Sequence, residues 1–92
     1  MSDYTRDGIL TALREGVVEV TFDKINGTER TMRITLNPAL LPGGEAAARH
    51  LAEEHRKEEN LATVVAWEVE LRAWRSFRIE NLRYAQGIPD YI

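Results

Sequence analysis

VVEVTFDKINGTERTMRITL, residues 17–36, alternates apolar and polar side chains on both sides of an Asn-Gly pair. A two-residue period of this kind is typical of strands with one buried face. The alternating apolar residues are Val18, Val20, Phe22, Met32, Ile34 and Leu36. Asn26-Gly27 lies between them, and this dipeptide most readily supplies the positive φ angles of a tight hairpin turn. The stretch therefore predicts a β-hairpin with one face in the core.

Helical patterns flank this hairpin. Apolar residues at helical spacing predict a short amphipathic helix from Tyr4 to Arg14, capped by Ser2 or Asp3 and ended by Gly16. After the hairpin, residues 37–44 predict a loop with apolar anchors. Residues 45–59 then predict a second helix, rich in strong helix formers, with only a narrow apolar stripe. A stripe this narrow predicts a helix that rests on the domain surface or on a partner.

The strand pattern returns after the second helix. Residues 63–69 predict a third strand in which Val65, Trp67 and Val69 share one face, and residues 74–79 predict a fourth strand that points Phe77 and Ile79 inward. Leu82 and Tyr84 allow a short last strand. We expect a shared core that includes Val18, Phe22, Met32, Ile34, Val65 and Phe77. The predicted fold is mainly β (α+β), a small antiparallel β-barrel with an N-terminal helix and a helical insertion at about residues 44–60.

Composition limits the classes of protein. The chain has 92 residues, 43% hydrophobic and 29% charged, which suits one hydrophobic core. It has no cysteine, so disulfides, a thiol nucleophile and a cysteine zinc site are excluded. No apolar run approaches the roughly 18 residues of a membrane span, and the start MSDYTRDG carries acids where a signal peptide is basic. We expect a single cytoplasmic domain with no membrane partner.

Two segments resemble a known family. Residues 18–42, VEVTFDKINGTERTMRITLNPALLP, and residues 64–82, VVAWEVELRAWRSFRIENL, are similar to small phage and prophage proteins described as SH3 β-barrel fold-containing proteins of unassigned function. The resemblance implies an SH3-like barrel that acts in the host cell cytoplasm. The second hairpin also resembles the WYL domain, an SH3-like or Sm-like barrel associated with nucleic acid or nucleotide ligands. Ala66, Trp67 and Glu68 replace its Trp-Tyr-Leu triplet.

Arginine usage marks a candidate binding surface. The chain has ten Arg and two Lys, and residues 72–83 carry a local charge of +3 although the whole chain carries −3. An aromatic residue, Trp74, lies among these arginines. Strands that present Trp and Arg outward stack on and neutralise nucleic acid strands or nucleotides. The candidate ligand-binding residues are Arg33, Arg72, Trp74, Arg75 and Arg78, and Arg30 can extend the patch.

A simpler interpretation of these arginines stays open. They can pair across strands with Glu19, Glu68, Glu70 and Glu80, which would only solubilise the sheet. In the same way, Trp74 can lie against the second helix instead of contacting a ligand. The charge of the segment alone does not separate binding from pairing.

Other polar clusters do not predict catalysis or a metal site. His50 and His55 lie five residues apart, about 140° around a helix, so they do not share a metal and are expected at the surface. The acidic run Glu53, Glu54, Glu58 and Glu59 is interspersed with basic residues, which is typical of a solvated face. We therefore expect no enzyme, no cofactor and no metal.

The sequence thus predicts a small binding module for an anionic partner, either a nucleic acid or nucleotide or an acidic protein surface. The alternative is a protein-interaction or host-takeover factor that docks on a host protein through residues 45–59 or through the apolar tail. Self-association through exposed apolar residues also stays open; these residues are Leu40, Leu41, Trp74, Ile88, Tyr91 and Ile92.

Overall fold

One five-stranded antiparallel sheet and two helices form the part of the chain that the structure, a computed structural model, describes: residues 4–89 and Tyr91. The helices are α1 (Arg6–Glu15) and α2 (Gly44–Arg56), and the strands are β1 (Val17–Asp23), β2 (Glu29–Thr35), β3 (Thr63–Glu68), β4 (Ala73–Arg78) and β5 (Leu82–Ile88). Short 3₁₀ turns lie at Glu58–Asn60 and Ile79–Asn81. The strand order is β4-β3-β2-β1-β5. The predicted mainly β fold with an N-terminal helix and a helical insertion is confirmed.

Helix α1 begins one residue after a threonine cap. The Thr5 hydroxyl oxygen accepts a hydrogen bond from the Gly8 N–H at 3.1 Å, which satisfies one of the free donors of the first turn. The predicted caps Ser2 and Asp3 lie outside the described residues. The helix ends before Gly16, as predicted, and the Gly16 N–H donates to the Ala12 carbonyl at 3.2 Å. Within the described residues no helix has the length and hydrophobicity needed to cross a membrane.

The first hairpin buries the predicted apolar side chains but has a longer turn. Val20 lies opposite Met32, and Val18 lies opposite Ile34. The Lys24 N–H donates to the Thr28 carbonyl at 2.7 Å, so three residues, 25–27, form the loop. Within this loop only Gly27 has a positive φ, 88°. A tight two-residue turn at Asn-Gly would need a positive φ at both central residues. Asn26 acts through its side chain, whose oxygen accepts from the Thr28 N–H at 3.2 Å.

The core lies on one face of the sheet, here called the inner face, and α1 covers its end. Its members come from α1 and from all five strands. They are Ile9, Leu10, Leu13, Val18, Val20, Phe22, Met32, Ile34, Leu36, Val64, Ala66, Phe77 and Leu82. The prediction for Val65 is wrong, because Val64 and Ala66 point inward and Val65 and Trp67 are only half-buried. The other five predicted core residues belong to this cluster.

The last strand is longer than predicted. β5 continues from Leu82 to Ile88 and pairs with β1 along its length, from Phe22 opposite Leu82 to Val17 opposite Ile88. Part of the predicted apolar tail is therefore a sheet strand. The loop before α2 is anchored by Leu41, which is buried, whereas Leu40 is exposed.

Helix α2 packs against its own domain through a buried histidine. His55 is 3% exposed, and its Nε2 accepts a hydrogen bond from the Val65 N–H at 3.0 Å. The expectation that both histidines lie at the surface is therefore wrong for His55, and His50 is exposed. Leu51, one turn earlier, packs against the core on the same side of the helix.

Arg6 completes this junction between the helices and the sheet. Its Nε donates to the Thr63 carbonyl at 2.9 Å, and its Nη2 donates to the carbonyls of His55 at 2.7 Å and Asn60 at 2.9 Å. β2 pairs with β3 only opposite Trp67 and Glu68, so Thr63 and Val65 have no strand partner on that side. Arg6 and His55 supply the missing partners and satisfy buried backbone groups.

We expect the stability of the fold to fall as the pH drops below about 6.5, the pKa of an unperturbed histidine. Burial, with the nearby charges of Arg6 and Arg14, lowers the pKa of His55. The folded protein then binds fewer protons at this site than the unfolded chain does, so acid favours unfolding. Thermal melts of wild type and His55→Gln between pH 7.5 and 5.5 test this. The wild type should lose more stability than the variant, and His50→Gln should behave as wild type. Equal losses in all three proteins would contradict the assignment.

Candidate functional site

An open cleft lies between the β1–β2 hairpin and β4. The sheet curls so far that Phe22 of β1 reaches Phe77 of β4, although β2 and β3 stand between these strands in the sheet order. The two rings stack with centroids 5.4 Å apart. Beyond this contact the hairpin tip stays separate from β4, which leaves a volume of about 740 Å³.

The cleft combines an apolar floor with cationic walls. Phe22, Met32 and Phe77 form the floor. Four cationic side chains and one acidic side chain, Asp23, line the walls and rim; the cationic residues are Lys24, Arg30, Arg75 and Arg78. A chain with a net charge of −3 thus has a locally positive concave surface.

A buried carboxylate joins two of these cations. Glu68 continues the inner face of β3 after Val64 and Ala66, so its side chain is only 6% exposed. Its Oε1 accepts from Arg30 Nη2 at 3.1 Å and from Arg75 Nε at 2.8 Å. A buried carboxylate needs paired charges of this kind, because desolvation without them is costly. Arg30, Glu68 and Arg75 are called the arginine–glutamate triad below.

Trp74 stands on the rim of the cleft, on the outer face of β4. It lies opposite Trp67 in the register, and the two rings meet edge to face with centroids 5.1 Å apart. Trp74 therefore packs on a neighbouring strand, whereas the alternative prediction placed it against the second helix. It remains 43% exposed. Trp67 fixes the position of an aromatic surface that faces solvent.

Three of the five predicted site residues line the cleft together: Trp74, Arg75 and Arg78. Arg33 instead projects from the outer face of β2, where it contacts Glu70 at 3.2 Å and Glu19 at 3.5 Å. Arg72 lies in the turn between β3 and β4 with a φ of 55°. Because side chains alternate along β2, Arg33 and Arg30 point to opposite faces of the sheet, so Arg33 lies away from the cleft that Arg30 lines.

Several residues that line the cleft were not predicted as site residues, among them Phe22 and Lys24, and Arg30 was predicted only as an extension of the patch. Glu68, which holds two of the cleft arginines, was predicted only as an ion-pair partner. A signal for Arg30 is present in the sequence, because it shares the inner face with Met32 and Ile34. The positions of Lys24 and Glu68 depend on contacts between hairpins, which no local pattern indicates.

The simpler interpretation of the arginines is also supported by the contacts. Each glutamate predicted as a partner contacts an arginine: Glu68 contacts Arg75, Glu70 and Glu19 contact Arg33, and Glu80 contacts Arg78 at 2.7 Å. Arg83 also pairs with Asp23, which raises the pKa of Arg83. These contacts occupy the arginines whether or not they bind a ligand, and of these pairs only Arg33–Glu70 joins the two hairpins.

The polar clusters of α2 have no catalytic geometry. Within the described ranges, no three His, Asp or Glu side chains approach closely enough to hold a metal ion. In the acidic run, the hydrogen bond from Lys57 holds the pKa of Glu54 below its usual value, so this carboxylate is not tuned to act as an acid near neutral pH.

Comparison with known proteins agrees with the geometry. Residues 6–83 match the model of the family WYL_2, described as having an Sm-like SH3 β-barrel fold. The chain belongs to this family. It is also 36% identical over 83 residues to a protein of Enterobacteria phage T4, described as an uncharacterized 11.5 kDa protein in the Gp31-cd intergenic region. That match covers 90% of this chain and 78% of the phage protein. No solved structure matches the chain. The predicted resemblance to a phage SH3-like family is confirmed.

We expect the two arginines of the triad to be strongly non-additive for stability. Arg30→Met or Arg75→Met alone leaves Glu68 with one partner and should cost about 1 kcal/mol. The double variant leaves a buried carboxylate without a counter-charge and should cost about 3–5 kcal/mol. Urea unfolding of the four proteins at pH 7 measures the coupling. Single effects that add up to the double effect would show that Glu68 does not depend on these two groups.

Proposed function

We propose that this protein is a non-enzymatic binding module that holds a single strand of nucleic acid in the cleft between the β1–β2 hairpin and β4. One observation supports this best: four cationic side chains and an exposed tryptophan surround one apolar floor. Proteins that bind single strands combine a positive groove for the backbone with aromatic surfaces for the bases.

The charge distribution favours the cleft as the contact surface. The net charge of −3 opposes unspecific attraction over the whole surface. The cleft lining carries Lys24, Arg30, Arg75 and Arg78 against Asp23. Asp23 pairs with Arg83, Glu68 with Arg30 and Arg75, and Glu80 with Arg78, so five cations face three carboxylates in and around the cleft. A polyanion would therefore meet a favourable local potential mainly at this cleft.

A single strand fits the structure better than a duplex. The exposed Trp74 suits unpaired bases, because only these present a free ring to stack on. A free nucleotide has the same phosphate and base, so oligonucleotide and mononucleotide probes must be compared.

A second candidate function is docking on a host protein through α2. His55 is the buried residue of α2, so most of the remaining surface of the helix faces solvent. This function would leave the cleft without a role in partner binding. It predicts that altering exposed α2 residues abolishes capture of a partner from lysate, whereas cleft variants do not.

We expect the protein to bind a fluorescein-labelled oligothymidylate of about 12 nucleotides at low salt. Affinity should fall steeply between about 50 and 200 mM salt. Trp74→Ala should weaken binding by about 1–3 kcal/mol, since it removes one stacking surface. Fluorescence anisotropy measures both effects, and thymidine monophosphate serves as the mononucleotide probe.

Tyr84→Ala is the matched control. Tyr84 is 49% exposed on β5 and is not among the residues that line the cleft, so its removal should change the affinity less than twofold. No binding by the wild type at about 50 mM salt would overturn the proposal. So would equal losses in the Trp74 and Tyr84 variants.

A further inference from the structure

We propose that Arg30 and Arg75 form a phosphate subsite within the cleft, and that Glu68 is the positioning residue that holds both guanidinium groups for it. The inference rests on the proposed function and names the groups that would contact the backbone of the bound strand.

The geometry places two cations on one oxygen. Arg30 comes from β2 and Arg75 from β4, and the strand between them, β3, supplies Glu68. Both guanidinium groups donate to the same atom, Oε1, at 3.1 Å and 2.8 Å. Their side chains therefore converge on one point although they belong to different hairpins.

The charges of the triad do not cancel. One carboxylate, 6% exposed, faces two guanidinium groups whose side chains are 30% and 35% exposed. Among residues 4–89 and Tyr91, neither arginine forms another ion pair. The triad keeps a charge of +1 at the cleft wall, where the apolar floor lowers the local dielectric constant.

Most hydrogen-bond donors of the triad are still available. Each guanidinium has five N–H donors, and one nitrogen of each contacts Glu68. In the described chain, the unpaired nitrogens of Arg30 and Arg75 are not buried, since only Arg33 Nε and His55 Nδ1 are both buried and unpaired. The remaining N–H groups therefore keep some contact with solvent, and each guanidinium has the planar donor arrangement that matches phosphate oxygens.

Glu68 also restricts the motion of the two side chains. A free arginine loses rotamer freedom when it binds an anion, whereas a side chain already held by a hydrogen bond loses less. Trp74 lies at the rim beside Arg75, so a strand could stack one base there while its phosphate meets the triad. Positioning by Glu68 thus predicts stronger binding than the same charges would give on unrestrained side chains.

The first test compares charge-matched variants in the oligothymidylate assay. Arg30→Gln and Arg75→Gln should each weaken binding about tenfold and lower the salt slope by about one, because each removes a phosphate contact. Arg33→Gln and Arg72→Gln remove the same charge away from the cleft and should leave the salt slope unchanged. Circular dichroism at the assay temperature confirms that each variant is folded. Equal effects in all four variants would overturn the subsite and leave the proposed function standing.

The second test addresses Glu68 without a change in net charge. Glu68→Asp keeps the carboxylate but shortens the side chain, so the two guanidinium groups lose their common anchor. We expect Glu68→Asp to bind more weakly than the wild type at every salt concentration with an unchanged salt slope, because both charges remain but are no longer held. Glu70→Asp, at the exposed carboxylate beside Arg33, should match the wild type. Circular dichroism shows whether each variant is folded, and wild-type affinity in folded Glu68→Asp would show that Glu68 does not position the arginines.

A third measurement needs no variant. Inorganic phosphate is titrated into the wild type while the arginine Nε–H signals are followed by NMR. The signals of Arg30 and Arg75 should shift, and those of Arg33 and Arg72 should not. If oligothymidylate binds but phosphate does not shift the signals of Arg30 and Arg75, the subsite is overturned and the proposed function stands. Failure of the oligothymidylate itself to bind would instead overturn the proposed function.

Discussion

The short contact between β2 and β3 is the constraint on which the rest of the structure depends. These strands pair at only two positions, Ile34 with Glu68 and Thr35 with Trp67. A longer ladder would hold the two hairpins in one flat sheet, but this short one lets the sheet curl until Phe22 and Phe77 stack. The same short ladder leaves part of β3 without a strand partner, which is why Arg6 and His55 are needed there.

The triad is the second consequence of that curl. Because the hairpins meet over so few backbone hydrogen bonds, side chains must hold them in register. Arg30 of the first hairpin does so by pairing with Glu68 of the second hairpin, and Arg75 holds Glu68 from the neighbouring strand β4. The aromatic stack lies in the same cleft. The same groups thus contribute to stability and to the proposed binding, so a binding assay on a variant must also show that the variant is folded. This also explains why the pairing interpretation and the binding interpretation of the arginines are compatible.

Local periodicity predicted the first hairpin but not which face of β3 is buried. The first hairpin alternates cleanly, so Val20 and Met32 could only face the core. Residues 64–67, VVAW, are apolar on both faces, and the apolar row of Val65, Trp67 and Val69 indicated the wrong inner face. The deciding residue is Glu68, which points inward because Arg30 and Arg75 neutralise it. That compensation comes from residues 38 and 7 positions away, so no local pattern contains it.

His55 shows the opposite case, in which a usable signal was present. It follows Leu51 by one helical turn, so the two side chains share a face, and that face packs against the domain. A histidine on such a face is expected to find a hydrogen-bond partner, here the Val65 N–H. What the sequence could not show is that β3 has a free N–H at that position, since this follows from where β2 ends.

The net negative charge of the chain has a physical consequence if the cleft holds a strand of nucleic acid. Because the net charge is −3, the surface away from the cleft carries an excess of acids that repels a polyanion, whereas the triad and Lys24 attract it to the cleft. Repulsion over most of the surface and attraction at one concave site select an orientation as well as a location. A more basic protein of this size would bind nucleic acid over many surfaces, with less dependence on Trp74. The net charge of −3 is therefore compatible with the proposed function and makes it more selective.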